Sequence, residues 1–68
     1  MAKEDNLEEE SKLLVNIGTT HTQNAQLEKA LEYFNKAIPI KKELDDKRGL
    51  ATTLFNTSLV YRRTGDYY

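Results

Sequence analysis

Few side chains in this 68-residue sequence could act on a substrate. His21 is the only histidine, and the candidate nucleophiles Ser11 and Ser58 have no base at an obvious spacing from them. Nucleophilic catalysis needs a base within hydrogen-bond reach of the attacking oxygen, usually with a third group that orients the base. We therefore expect no catalytic residue and a protein that is not an enzyme.

Metal and cofactor sites have equally little to build on. The chain has no cysteine, so it offers no thiolate ligand and no disulfide. Glu8, Glu9 and Glu10 are consecutive acidic residues, which are typical of a solvated helix start that interacts with the helix dipole. The three glycines are isolated and do not form a phosphate-binding loop. We expect neither a metal nor a cofactor.

The charge and hydropathy of the chain argue against nucleic acid and membrane partners. The formal net charge is −1, and the paired Arg62 and Arg63 fall at a predicted helix end, where they complement the dipole. No apolar run approaches the roughly 20 residues that span a bilayer. The first ten residues lack the hydrophobic centre of a secretory signal, so we expect a cytoplasmic protein.

Apolar residues recur at intervals of three and four, which predicts helices and no strand. The first helix is predicted to begin at about residue 6, with Asn6 and Glu9 as a capping box. It is predicted to end near residues 23–25, where Asn24 can adopt the left-handed conformation. Its buried stripe is predicted to comprise Leu7, Leu13, Leu14, Ile17 and His21.

The second predicted helix has the clearest pattern. Glu32 and Lys36 form a favourable pair on its polar face. Pro39 removes a backbone hydrogen bond to residue 35 and is expected to kink the helix, which should continue because residues 40–44 still favour a helix. The predicted buried stripe comprises Leu27, Ala30, Leu31, Phe34, Ala37, Ile38 and Leu44.

A third helix is predicted after the connector of residues 45–49, with Asp45 or Asp46 as its cap. Gly65 ends this helix, and Asp66 is placed to cap a further one. Its predicted stripe comprises Leu50, Leu54, Thr57, Ser58 and Tyr61. Short connections favour antiparallel neighbours, so the predicted fold is all-α with three antiparallel helices.

The spacing of the apolar and small residues resembles a tetratricopeptide repeat. Leu14, x2, Ile17-Gly18, x2, His21 is followed by Ala30, x3, Phe34, as in the family's pattern. A shift of 40 residues superposes Leu14 on Leu54, Asn16 on Asn56, Gly18 on Ser58 and His21 on Tyr61. This period is similar to the longer variety of these repeats.

The resemblance implies a single domain over residues 1–68. Its first repeat covers about residues 11–46 and a partial second repeat covers about 47–68, with residues 1–5 expected to be frayed. Three positions depart from the family pattern: Lys42 replaces a proline, His21 a tyrosine and Ser58 a glycine.

The resemblance also implies where a partner binds. In this family the first helix of each repeat lines a concave groove that holds a peptide or a partner helix. The positions Val15 and Thr19 do not reproduce the Lys and Asn with which some members clamp a carboxylate. Asn16 and Asn56 resemble the residues that hold a peptide backbone, and Phe55 and Leu59 are apolar residues outside the predicted stripe. The implied binding residues are Lys12, Val15, Asn16, Thr19, Phe55, Asn56, Leu59, Arg62 and Arg63, with Thr22, Gln23 and Thr52 beside them.

Three functional hypotheses follow. The first is a non-enzymatic protein–protein interaction module that presents this groove. The second is a self-assembling unit, in which the third helix associates with another copy by docking or by helix exchange through residues 45–49. The third is a sensing repeat within a larger signalling protein.

Overall fold

The computed structural model describes residues 3–65 of the chain, and the side chains of residues 6–65. These residues form three antiparallel α-helices: α1 (Lys3–Gln23), α2 (Leu27–Glu43) and α3 (Lys47–Thr64). Three-residue turns at 24–26 and 44–46 join them. α2 packs against both other helices, whereas α1 and α3 touch each other only slightly. The predicted all-α fold is confirmed.

Each helix ends on a residue in the left-handed conformation, and these residues are spaced 20 apart. They are Ala25 (φ 63°), Asp45 (φ 56°) and Gly65 (φ 73°). The prediction for Gly65 is confirmed, whereas the left-handed residue of the first turn is Ala25 rather than Asn24. The predicted cap at Asp66 lies outside the described residues.

The first two turns satisfy the last helical carbonyls in the same way. The N–H of Gln26 donates to the carbonyl of His21 at 2.8 Å, and that of Asp46 donates to the carbonyl of Lys41 at 3.0 Å. This six-to-one bond closes a helix and reverses the chain within three residues. The repeated turn explains why one helix pair occupies about 40 residues.

Of the two helix starts predicted from capping residues, that of α1 is wrong and that of α3 is correct. α1 begins at Lys3, so Asn6 lies inside the helix and the predicted capping box is wrong. Residues 3–5 include no helix breaker, so the helix extends through them. Asp46 caps α3 as predicted, because its Oδ1 accepts the Gly49 N–H at 3.0 Å.

α2 continues through Pro39 to Glu43, so the helix does not end at the proline. Pro39 is exposed, and the missing N–H removes only one bond from a helix that good helix formers continue. The predicted pair of Glu32 and Lys36 is present, with 3.8 Å between Lys36 Nζ and Glu32 Oε2.

The core is small and is organised around one close helix approach. Its buried apolar residues are Ala30, Phe34 and Ala37 of α2 and Val60 of α3. Phe34 lies against Gly18 of α1, where an added Cβ would be only 2.7 Å from Phe34 Cε1. Glycine at position 18 is therefore needed for α1 and α2 to pack this closely.

The predicted stripe of α3 is wrong at two positions. Thr53, Thr57 and Val60 face the core, whereas Leu54 is 48% exposed and Ser58 is also exposed. Leu54 and Ser58 are the 40-residue counterparts of Leu14 and Gly18, which face α2. On α3 the same face points away from α2, towards the position where a following helix would lie in a repeat array.

Leu13 of α1 is also exposed, at 59%, contrary to its predicted place in the stripe. The helical period places it about 100° from Leu14, on a face that no described helix covers. The other predicted stripe residues of α1 are half-buried: Leu7, Leu14, Ile17 and His21.

Candidate functional site

A groove runs between α1 and α3, which contact each other only slightly, and α2 forms its floor. Two depressions lie along this groove. The first, which we call the charged depression, has a volume of about 340 Å³. The second, the neutral depression, has a volume of about 80 Å³. The charged depression is lined by Lys12, Val15, Lys41, Asp46, Arg48, Gly49, Thr52 and Thr53. The neutral depression is lined by Thr19, Thr22, Gln23, Phe34, Asn56 and Leu59.

Threonines form much of the groove wall, and the hydroxyl protons of Thr19, Thr22 and Thr53 are already used. Thr19 donates to the carbonyl of Val15 at 2.9 Å, and Thr53 donates to that of Gly49 at 2.8 Å. Such bonds to the preceding turn satisfy the hydroxyl within its own helix. These threonines therefore present methyl groups and oxygen lone pairs to the groove, while the half-buried Asn56 presents a side-chain amide.

A buried lysine links all three helices beside the charged depression. Lys41 of α2 is only 5% exposed, and its Nζ donates to Ser11 Oγ of α1 at 3.2 Å. The same Nζ lies 3.5 Å from Oδ2 of Asp46, the cap of α3. Ser11 in turn donates to the carbonyl of Glu8 at 3.1 Å. This cluster replaces apolar contacts at one end of the helix bundle.

Sequence reasoning missed Lys41 because a lysine is rarely buried. One signal was available in the helical spacing. Lys41 follows Ala37 by four residues and therefore lies on the same stripe as Ala30, Phe34 and Ala37.

The environment of Asp46 favours its charged form. The N–H of Gly49 lowers the pKa of this carboxyl most, desolvation opposes the shift, and the charge of Lys41 lowers the pKa further. Gly49 also has to be a glycine, since a Cβ there would lie 2.8 Å from Asp46 Cγ. The Asp46 carboxylate therefore holds the start of α3 by accepting hydrogen bonds from the backbone N–H of Gly49 and from the ammonium of Lys41.

The structure gathers some of the predicted binding residues and separates others. Lys12 and Val15 line the charged depression, with Thr52 beside them. Thr19, Asn56 and Leu59 line the neutral depression, together with Thr22 and Gln23. Two helices far apart in sequence thus bring these residues to one surface.

The remaining predicted residues lie outside the two depressions. Asn16, Phe55 and Arg62 are exposed and line neither of them, with Phe55 63% exposed. Arg63 has a structural contact, since its Nη1 donates to the carbonyl of Thr22 at 3.2 Å. This bond joins the end of α3 to the end of α1 and closes the groove there.

His21 packs on the other side of α1, away from the groove. Its ring stacks on Tyr33 of α2 with 5.5 Å between centroids, and its Nδ1 lies 2.7 Å from Gln26 Oε1. Lys36 Nζ lies 5.1 Å from the centroid of the same Tyr33 ring. These contacts give His21 the packing role expected for an aromatic residue at this position.

Two further searches covered the described residues. They contain no group of three or more His, Asp or Glu side chains placed to hold a metal ion. None of the three helices is both long enough and apolar enough to cross a membrane.

Comparison with known proteins agrees with this architecture. A family model described as tetratricopeptide repeat matches residues 9–67, which is almost the whole chain. No curated protein and no solved structure gave a significant match. The helix pair and the small and aromatic residues at Gly18, Ala30 and Phe34 fit the pattern of this repeat. The chain belongs to the tetratricopeptide repeat family.

Proposed function

We propose that the groove between α1 and α3 binds an extended segment of a partner protein. The family is generally a protein–protein interaction module and is typically a non-enzymatic scaffold. The observation that carries the proposal for this chain is the neutral depression, where both helices contribute side chains to one concave surface.

The chemistry of the neutral depression suits a peptide backbone with a small side chain. The amide of Asn56 supplies a donor and an acceptor, which match the carbonyl and N–H of an extended chain. Leu59, 36% exposed, adds apolar surface, and the buried Phe34 lies at the base of the depression. A volume of about 80 Å³ equals that of two to three water molecules at about 30 Å³ each, which suits a small aliphatic side chain.

Selection from a displayed library of random nonapeptides tests this proposal. We expect the wild-type chain to enrich peptides whose binding, measured by fluorescence polarisation, weakens in the variants Asn56→Ala and Leu59→Ala. Leu13→Ala is the matched control, because Leu13 is exposed on a different face of α1. Helical content by circular dichroism identifies any variant that fails to fold.

The proposal fails if the library yields no binder. It also fails if the enriched peptides bind folded Asn56→Ala and Leu59→Ala as tightly as the wild-type chain. An equal loss in Leu13→Ala would likewise contradict a role specific to the groove.

A second candidate function, self-association, is favoured by the outward face of α3. Leu54 is 48% exposed there and Ser58 lies one turn further on, although their counterparts in α1 face a packed helix. Exposed apolar surface of this kind is typical of an interaction site. A second copy that covers this face would remove Leu54 from water.

Solution mass measured by light scattering over a concentration series tests self-association. A dimer that Leu54→Lys converts to a folded monomer, while Leu13→Lys leaves it intact, would support this candidate. A folded wild-type monomer across the micromolar range would exclude it.

A further inference from the structure

We propose that the charged depression binds an acidic side chain of the partner segment. This side chain would lie about three residues along the segment from a small aliphatic side chain seated in the neutral depression. The inference rests on the groove function proposed above and defines the class of partner.

The charges around the charged depression are unbalanced. Its lining includes the cations Lys12, Lys41 and Arg48 but only one carboxylate, Asp46, which leaves a formal charge of +2 (three positive minus one negative). Asp46 is already engaged by the Gly49 N–H and by Lys41. Glu8 and Glu9 are exposed four and three residues before Lys12 on α1, and neither forms an ion pair with it among the described side chains.

Lys12 and Arg48 have no carboxylate partner among the described side chains. The ion pairs found in that part of the chain are Lys36 with Glu32 and Lys41 with Asp46. Two cations from different helices, α1 and α3, therefore line the same depression, and its one carboxylate, Asp46, is paired with Lys41 rather than with either of them. A carboxylate from a partner would compensate both charges.

The buried ammonium of Lys41 adds hydrogen-bonding capacity to this site. An ammonium group has three donors, while Ser11 and Asp46 account for two contacts, the second of which is long at 3.5 Å. An anion near a buried ammonium is also attracted more strongly than one near a fully solvated lysine.

The helix geometry sets the distance between the two side chains of the partner. The centres of the two depressions are about seven helical positions apart on both α1 and α3, or about 11 Å at 1.5 Å per residue. A chain in the extended polyproline II conformation rises about 3.1 Å per residue with three residues per turn, so side chains three residues apart lie on one side and about 9 Å apart. The expected partner is therefore a short extended segment with Asp or Glu about three residues from Val, Ala or a residue of similar size.

The same nonapeptide library tests this inference through the sequences that it enriches. We expect the aligned binders to share an acidic residue about three positions from a small aliphatic one. Replacing that Glu by Gln, or Asp by Asn, in the best binder should weaken binding about tenfold, and raising NaCl from about 0.05 to 0.5 M should weaken it further.

Variants of the protein identify the site of this preference. Lys12→Gln and Arg48→Gln should each weaken the acidic peptide about threefold to fivefold, as expected for a partly solvated ion pair. They should leave its amide version unchanged. Lys29→Gln is the matched control, because Lys29 is exposed on α2 outside both depressions.

Two results would overturn the inference and leave the groove function standing. In the first, groove-dependent binders show no acidic preference; in the second, the preference survives in both Lys12→Gln and Arg48→Gln. Binders insensitive to Asn56→Ala and Leu59→Ala would instead contradict the groove function itself.

Discussion

At the residue scale, polar groups replace part of the hydrophobic core that so short a chain cannot supply. The ammonium of Lys41 on α2 bonds to Ser11 of α1 and to Asp46, the cap of α3. A buried lysine is stable only while its charge is compensated, so each member of the cluster depends on the others. The cluster therefore determines where α3 begins relative to the other two helices.

Asp46 makes stability depend on pH in a predictable direction. Its folded pKa lies below the ordinary value of 3.8, so its contribution is fully present above that value and is lost as pH falls through the folded pKa. Urea unfolding followed by circular dichroism should show Asp46→Asn to be less stable than the wild type at neutral pH. The difference should shrink as pH falls below 3.8 and disappear once the folded protein also binds a proton at Asp46.

Asp45→Asn is the control for this experiment, because it removes a neighbouring carboxyl that does not cap α3. The backbone of Asp45 is in the left-handed conformation. The stability of this variant should change with pH much as that of the wild type does. Wild-type and Asp46→Asn profiles that run parallel from neutral to acidic pH would contradict the role assigned to the carboxylate.

Ala25 carries a backbone strain that glycine would relieve. An L-residue in the left-handed region costs about 1–2 kcal/mol, while glycine loses about 0.5–1 kcal/mol through chain entropy. With φ at 63°, Ala25→Gly should raise the free energy of unfolding by about 0.5–1 kcal/mol. Thermal unfolding measures this change, since about 1 kcal/mol moves the midpoint by about 4–8 °C.

Ala51→Gly provides the comparison, because Ala51 is exposed in the second turn of α3. There the same substitution should lower stability by about 1 kcal/mol. If both variants were destabilised equally, the left-handed turn would not be a source of strain.

At the element scale, the two copies of the repeat pattern are used differently. Gly18 of α1 lies against Phe34, whereas its counterpart Ser58 of α3 is exposed. The Gly18 face of the first helix is therefore covered by α2, and the third helix uses a different face, with Thr53, Thr57 and Val60, to pack on the pair.

Gly18→Ala tests the close contact between α1 and α2. The added Cβ would meet the Phe34 ring at 2.7 Å, so the helices must separate or the ring must move. Overpacking costs about 1–3 kcal/mol and is offset by about 1 kcal/mol of improved helix propensity, so we expect a net loss of about 1–2 kcal/mol. The readout is the midpoint of urea unfolding.

Ser58→Ala is the matched substitution at the counterpart position. It adds helix propensity at an exposed site and should be neutral or slightly stabilising. A Gly18→Ala variant as stable as the wild type would show that the two helices do not depend on this contact.

The sequence predicted α2 and its stripe well because a single face of that helix carries nearly all its apolar residues. It predicted the buried face of α3 poorly, because the apolar residues of α3 are spread over more than one face. The predicted stripe included the exposed Leu54 and omitted the buried Thr53, whereas Thr57 is buried as predicted. The hydroxyls of both threonines bond to the carbonyls one turn earlier. A threonine that satisfies its own hydroxyl packs like an apolar residue, and spacing alone does not reveal this.

The candidate site was predictable in part. The 40-residue match placed Thr19 and Asn56 on facing helices, and the structure brings both to the neutral depression. The buried ammonium of Lys41 depends on contacts with Ser11, 30 residues away in sequence, and is apparent only in three dimensions. Arg63 illustrates the same limit, because its bond to the Thr22 carbonyl spans 41 positions.

At the scale of the whole molecule, we propose two different surfaces as binding sites for partners. The groove between α1 and α3 combines threonines, an amide and an unbalanced positive charge. The outward face of α3 presents Leu54 and Ser58. The first suits an extended chain with an acidic side chain, whereas the second suits a packed helix or another copy. A partner that binds the groove leaves the outward face free, so one molecule can use both surfaces.

The most direct test of the central claim is the map of amide NMR signals that shift when the best library-selected peptide is titrated into the ¹⁵N-labelled chain. The account predicts the largest shifts at Thr19, Thr22, Asn56 and Leu59, with Gly49 and Thr52 also affected when the peptide carries its acidic residue. Signals of Leu54 and Ser58 should remain in place. Shifts concentrated at Leu54 and Ser58, with the groove signals unchanged, would contradict the account and assign binding to the outward face of α3.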